Sequence, residues 1–259
     1  MVDLWNTTMP HKIAGEEFIP HIKEYIAGSK GAVIVCPGGA YGMRAEHEGD
    51  TMGEWFKGIG ITAIVLEYRV APYKHPAEIS DVQRAIRYVR HNSDRYGIDK
   101  DKIAIMGFSA GGHLAASASV HYNKKMYEPT DEIDTESARP DASILCYPVI
   151  DMGEYRHDGS RANLIGLIPT TQMREFMSLH KHITDDTPEA FLWHTAADEA
   201  VTAMNSLLYA QGLAEHRINY EMHIYPEGYH GLGLATDFPY VAQWSKALEN
   251  WLVYKGWKQ

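Results

Sequence analysis

Gly107-Phe108-Ser109-Ala110-Gly111 is the stretch of this chain best suited to chemistry. It follows an apolar run, Lys102-Ile103-Ala104-Ile105-Met106, which reads as a short buried strand. It precedes Gly112-His113-Leu114-Ala115-Ala116-Ser117-Ala118, rich in small helix formers. A G-x-S-x-G sequence where a strand turns into a helix is the signature of a nucleophile elbow. The physical reason is steric: the serine occupies a strained position on a very tight turn, and the flanking glycines carry no Cβ to clash there. The turn lifts the Ser109 hydroxyl clear of the sheet. It also aims the N-terminus of the next helix at the point where negative charge would develop.

A serine hydroxyl is a poor nucleophile at neutral pH; it needs a base, and the base needs an orienting acid. Behind an elbow of this kind the chain order is serine, acid, histidine. Two later stretches supply that order. Thr195-Ala196-Ala197-Asp198-Glu199-Ala200-Val201 follows the apolar run Ala190-Phe191-Leu192-Trp193-His194 and offers Asp198 or its neighbour Glu199 as the acid. Pro226-Glu227-Gly228-Tyr229-His230-Gly231 follows the last strand-like run and offers His230 as the base, with glycines close on both sides. His113 follows the elbow too closely to reach back as a base, and His194 reads as a core histidine. Acyl transfer through Ser109 also calls for backbone N–H donors aimed at the oxyanion. One is expected from Ala110, and the second from Gly39 or Ala40 in the bulk-free Gly38-Gly39-Ala40 loop. No cofactor is expected, since neither G-x-G-x-x-G nor a P-loop lysine pattern is present. His180 and His182, near Asp185 and Asp186, lack the spacing of a zinc site, so no metal is expected either.

The elements that must position these residues alternate along the chain. Strand-like runs occur at Phe18–Ile26 (an edge strand with a proline near its start), Ala32–Cys36, Ile61–Tyr68, Lys102–Met106, Ala142–Tyr147, Ala190–His194 and Asn219–Tyr225. Helical patterns fill Glu46–Lys57, Pro76–Tyr96 (Ile79, Val82, Ile86 and Val89 at spacings of three and four) and Phe238–Val253. Alternation of this kind predicts an α/β fold, a mostly parallel, doubly wound sheet with helices on both faces and sites at the carboxyl ends of strands. The long stretch Asp151–Thr187, with a helical pattern over Thr170–His182, departs from the alternation and is expected as a partial cap over the site. The whole of 1–259 is expected to be one domain; no linker or repeat divides it. The net charge of −10 and the lack of a basic cluster argue against nucleic acid as a partner. Cys36 and Cys146 fall in apolar runs and read as buried thiols. No leader and no apolar run of about 20 residues is visible, so no membrane partner and a cytoplasmic location are expected.

Five motifs carry a family resemblance: Pro37-Gly38-Gly39-Ala40-Tyr41, Glu67-Tyr68-Arg69-Val70-Ala71-Pro72, Gly107 to Leu114, Trp193 to Glu199, and Pro226 to Leu232. Together they resemble the α/β-hydrolases of the acetyl esterase and acetyl xylan esterase-like group, close to the hormone-sensitive-lipase and dienelactone-hydrolase branches. The likeness runs from about Ala32 to Trp251. It singles out Asp198 over Glu199 as the acid, with Val201 in place but Thr202 where proline is usual. Ala40 stands where the oxyanion loop usually has a third glycine; it keeps its N–H. The resemblance implies hydrolysis of short acyl esters, often acetyl groups on plant polysaccharide fragments, with a small-molecule or oligosaccharide ester as substrate. Tyr41, Tyr147 and the 151–187 segment are the expected pocket lining, and self-association to a homodimer is an expectation from the fold. Two alternatives share these motifs. One is a peptidase or aminoacyl hydrolase of prolyl-oligopeptidase type, which is disfavoured because no separate propeller domain fits in this length. The other is a silent hydrolase fold used for binding, which would lack a triad member.

Overall fold

The computed structural model describes residues 1–5 and 8–258. Its centre is one eight-stranded sheet in the order β1-β2-β4-β3-β5-β6-β7-β8. The strands are β1 (Val2–Asp3), β2 (His21–Tyr25), β3 (Ala32–Cys36), β4 (Thr62–Glu67), β5 (Ile103–Phe108), β6 (Ala142–Cys146), β7 (Glu189–Thr195) and β8 (Tyr220–Tyr225). From β4 to β8 all pairings are parallel; β1 and β2 run antiparallel at one margin. The sheet has the α/β-hydrolase architecture expected above. β3, β5 and β6 are buried along their whole length, which is why their sequences are unbroken apolar runs.

Period-2 alternation divides those runs between two cores. Ile34, Ile105, Leu145 and Leu192 pack under α2 (Ala77–His91), α4 (Ser109–Val120) and α7 (Met204–Glu215). Val35, Met106, Ile144 and Trp193 pack under α1 (Asp50–Gly58) and α8 (Gln243–Tyr254), where Trp193 stacks on Trp244 at 4.7 Å. Each such side chain stabilises the fold by roughly 1.5–3 kcal/mol on burial. β5 lies in the middle of this scaffold, so whatever follows it is held from both faces. Among the described residues no helix is long and apolar enough to cross a membrane.

Several boundaries differ from the sequence reading, for local reasons. β2 is not an edge strand, because Val2 pairs with Ile22 and adds β1 outside it. The helix expected at Pro76–Tyr96 breaks at Asn92, whose side-chain amide donates to Tyr88 O at 2.8 Å; a short α3 (Ser93–Tyr96) follows and ends at Gly97, φ 67°. The helix expected at Glu46–Lys57 begins as a 3-10 turn, Glu46–Glu48, because Glu48 faces inward. The last helix starts at Gln243, since Phe238 precedes Pro239 and the chain makes tight turns there instead. Within 151–187 the structure has α5 (Asp158–Ile165), α6 (Thr171–Phe176) and a 3-10 turn, Leu179–His182. The helical stretch expected over Thr170–His182 is interrupted where Ser178 Oγ meets Asp151 Oδ1 at 2.9 Å.

Candidate active site

Ser109 begins α4 directly after β5, with φ of +51°. A non-glycine residue there is strained and is held only by its surroundings. The flanking glycines are required sterically: a Cβ on Gly107 would run into Gly111 O, and one on Gly111 into Cys36 O. The elbow therefore needs both glycines to let α4 sit on the end of the sheet.

β7 and β8, further along the same carboxyl edge, bring up the other two groups. The Ser109 hydroxyl donates to His230 Nε2 at 2.7 Å. His230 Nδ1–H donates to Asp198 Oδ2 at 2.6 Å. The second Asp198 oxygen accepts from Ala200 N (3.0 Å) and Val201 N (2.9 Å). Burial opposes ionisation of Asp198, but the close approach of His194 and the hydrogen bonds from His230 and Val201 outweigh it and hold the carboxyl far below the usual range. Glu199, the other candidate acid, is exposed. His194 is fully buried between Ser206 Oγ and Val201 O, both at 2.8 Å. It buttresses Asp198 from behind, at 3.4 Å. The His230 loop turns through Gly228 (φ 117°) and Gly231 (φ 86°), and Thr195 Oγ1 ties it to β7 by donating to Gly228 O.

The loop after β3 faces the serine from the other side. A Cβ on Gly38 would lie 3.1 Å from Ser109 Cβ. Gly39, Ala40 and Tyr41 all have positive φ (123°, 53° and 57°). Gly39 O folds inward to accept from Gly42 N and Met43 N. Gly39 N and Ala40 N have no acceptor among the described backbone bonds. Ala110 N lies in the first turn of α4, where no intrahelical acceptor exists. These are the backbone donors expected above for an oxyanion at Ser109. Ala40 O is fixed by Asn163 Nδ2 of α5 at 2.9 Å, so the 151–187 segment rests on this loop.

Tyr41 and Tyr147, expected in the pocket lining, are both buried, and their hydroxyls are engaged inside the protein. Tyr41 donates to His113 Nδ1 at 2.9 Å. Tyr147 donates to Glu48 Oε1 at 2.6 Å, and its ring meets His230 edge-on at 5.2 Å. Sequence reasoning missed Glu48, which lies in an amphipathic stretch that looks like a helix face. It also missed Tyr229, which is 61 % exposed, braced edge-on by Phe238, and adjacent to His230.

His113 and His121 fasten α4 to the 151–187 segment by donating to Met177 O and Phe176 O, each at 2.9 Å. Burial pushes both imidazoles down to about 4. Their unfolded counterparts protonate near 6.5, so between pH 6.5 and 4 the unfolded chain binds protons that the folded chain refuses, and stability falls on acidification by about 3 kcal/mol per histidine at the limit. His113→Gln keeps a donor and an acceptor but cannot titrate. Its melting temperature is expected to change less than that of the native chain from pH 6.5 to 4; parallel profiles would contradict this.

A pocket of about 580 Å³ opens beside His230, lined by Glu199, Ala200, Tyr229 and Phe238 among others. A cavity of about 630 Å³ beside Pro10 and Met126 shares no residue with the site.

A family profile described as BD-FAE matches residues 22–213. The chain is 36% identical over 252 residues to endo-1,4-beta-xylanase B of Butyrivibrio fibrisolvens, covering 94% of this chain and 39% of that protein. It is 32% identical over 232 residues to an acetylxylan esterase of Xylanibacter ruminicola, covering 85% and 45%. The chain thus spans less than half the length of these curated relatives. The crystal structure of an acetyl ester-xyloside bifunctional hydrolase from Caldicellulosiruptor lactoaceticus superposes with a TM-score of 0.95 at 42% identity, covering 100% of this chain and 97% of that one.

Proposed function

This chain belongs to the BD-FAE family, and we propose that it is a serine carboxylesterase that removes short acyl groups, acetyl foremost, from carbohydrate esters such as acetylated xylo-oligosaccharides. The observation that carries the reading is the unbroken hydrogen-bond line from Ser109 Oγ through His230 to Asp198 at the mouth of the sheet. The carbohydrate part of the reading draws support from the acetylxylan esterase and the acetyl ester-xyloside hydrolase among its relatives.

In the proposed cycle Ser109 Oγ attacks the ester carbonyl while His230 Nε2 takes its proton. Asp198 stabilises the imidazolium that forms. The carbonyl oxygen, now negative, accepts from Ala110 N and from Gly39 N or Ala40 N. His230 then delivers its proton to the departing alkoxide and leaves an acyl group on Ser109. A water molecule enters, gives its proton to His230 and attacks the acyl carbon. Collapse frees the carboxylic acid and returns the proton to Ser109. Residues 151–187 act as a partial cap within one domain spanning 1–259, and Asn163 on Ala40 O is the contact through which they steady the oxyanion loop. The direct test is acetate release from acetylated xylo-oligosaccharides beside hydrolysis of p-nitrophenyl acetate. Release from both is expected; cleavage of the aryl ester alone would remove the carbohydrate from the reading.

The alcohol must lie on the His230 side, because that residue protonates it as it leaves. We therefore assign the sugar to the pocket beside His230, with a pyranose face on Tyr229 and its hydroxyls within reach of the exposed Glu199 carboxylate. Stacking on an exposed aromatic is worth about 0.5–1.5 kcal/mol, or roughly a 2- to 12-fold change in affinity. Tyr229→Ala is expected to raise KM for acetylated xylo-oligosaccharide by that factor and to leave vinyl acetate hydrolysis unchanged. Equal losses on both substrates would move the sugar elsewhere.

A further inference from the structure

We propose that Glu48 is a positioning residue that holds the oxyanion loop and the His230 loop in a single register. The inference rests on the esterase reading above and names a part of its machinery that no motif contains.

Glu48 comes from the 3-10 turn ahead of α1, and only 2 % of it is exposed. A buried carboxylate with no task is rare, since removing it from water is costly unless both oxygens find donors. Here each oxygen has one. Oε2 accepts from Gly38 N at 2.8 Å, at the base of the oxyanion loop. Oε1 accepts from the Tyr147 hydroxyl at 2.6 Å. That hydroxyl in turn accepts from Gly233 N at 2.9 Å, just past His230. The neighbouring His47 adds a parallel link, with Nε2–H donating to Gly231 O at 2.9 Å. One turn of chain thus grips the loops that carry the oxyanion donors and the base. Gly38 leaves room for this link, because a Cβ there would sit 2.5 Å from Oε2.

The chemistry requires an acceptor at both ends. Gly38 N–H and Tyr147 O–H both donate, so a carboxylate satisfies both, whereas an amide presents a donor to one of them. Burial pushes the Glu48 carboxyl up, and the hydrogen bonds from Tyr147 and Gly38 oppose that shift. Since the Tyr147 ring also packs edge-to-face with the His230 imidazole, a slip at Glu48 is transmitted to the base as well as to the oxyanion donors.

The experiment compares native protein, Glu48→Gln, Tyr147→Phe and the double variant on p-nitrophenyl acetate. Rates are expressed per active site titrated with a fluorophosphonate, so that misfolded protein is not counted. Glu48→Gln is expected to lose about 100-fold in kcat with KM little changed, as a displacement of order 1 Å at a reacting group does. It should also bind a trifluoromethyl ketone, which mimics the tetrahedral adduct, more weakly by a similar factor. Tyr147→Phe keeps the ring and should lose about 10-fold. The double variant should lose less than the product of the two, because they share one hydrogen bond. If Glu48→Gln does not fold, Tyr147→Phe and its ketone affinity carry the test alone. Unchanged kcat per titrated site, or full ketone affinity, would overturn the role of Glu48 and leave the esterase reading intact. A native protein without esterase activity would overturn that reading itself.

Discussion

Replacing Ser109 with alanine is expected to lower kcat on p-nitrophenyl acetate by about 10⁶-fold, the loss seen when a serine triad is deprived of its nucleophile. The expectation follows from what the substitution takes away and what it leaves. Alanine removes Oγ, the atom proposed to form the acyl-enzyme, and with it the hydrogen bond to His230 Nε2. It leaves the backbone donors of Ala110, Gly39 and Ala40, so a residual rate of about 10³–10⁴ over the uncatalysed reaction is expected from oxyanion stabilisation and binding. The fold should survive. Serine and alanine meet the same steric cost at φ +51°, and among the described residues the hydroxyl bonds to His230 Nε2, outside the elbow. Near-native melting with loss of both turnover and fluorophosphonate labelling is the expected result. A Ser109→Ala protein within 100-fold of the native rate would show that another group attacks the ester.

The parts of this site that were legible in the sequence are those governed by local sterics and chain order. Gly107 and Gly111 announce the elbow because each lies where a single Cβ would strike backbone. Asp198 and His230 could be named because each follows an apolar strand at the edge where such sheets carry their sites. The choice between Asp198 and Glu199 was not local. It depends on which carboxylate His194 and the amides of Ala200 and Val201 draw inward, and that is decided by packing. Glu48 was illegible for the same reason. Its sequence surroundings are those of an amphipathic helix, and only the close approach of the Gly38 and Tyr147 segments gives it buried partners. Tyr41 and Tyr147, expected at the pocket wall alongside the family resemblance, each follow a strand, yet their hydroxyls are consumed by His113 and Glu48. An aromatic after a strand says that a site is near; it does not say on which side of the wall the ring lies.

Asp198→Asn is the second large effect expected, about 10⁴-fold in kcat, and it tests orientation where Ser109→Ala tests attack. Asparagine is nearly isosteric, and its carbonyl oxygen can still accept from Ala200 N and Val201 N in place of Oδ1. Its amide then faces His230 Nδ1 as a donor. The imidazole must answer with an unprotonated Nδ1, which moves its proton to Nε2, the atom that has to receive the Ser109 proton. The base is thus lost while every atom stays close to its place. Two consequences separate this from unfolding. The variant should gain rate at high pH, where hydroxide takes over the role of the base, and it should keep its affinity for a product such as acetate. It should also change stability in acid. The folded carboxyl of Asp198 is held below its unfolded value, so its contribution is present above about pH 4, the ordinary carboxylate value, and is lost as pH falls through the folded one. The asparagine variant lacks that contribution at neutral pH and should therefore show a shallower loss of stability on acidification. An Asp198→Asn protein within 10-fold of native at neutral pH would remove Asp198 from the acid's role and return the question to Glu199.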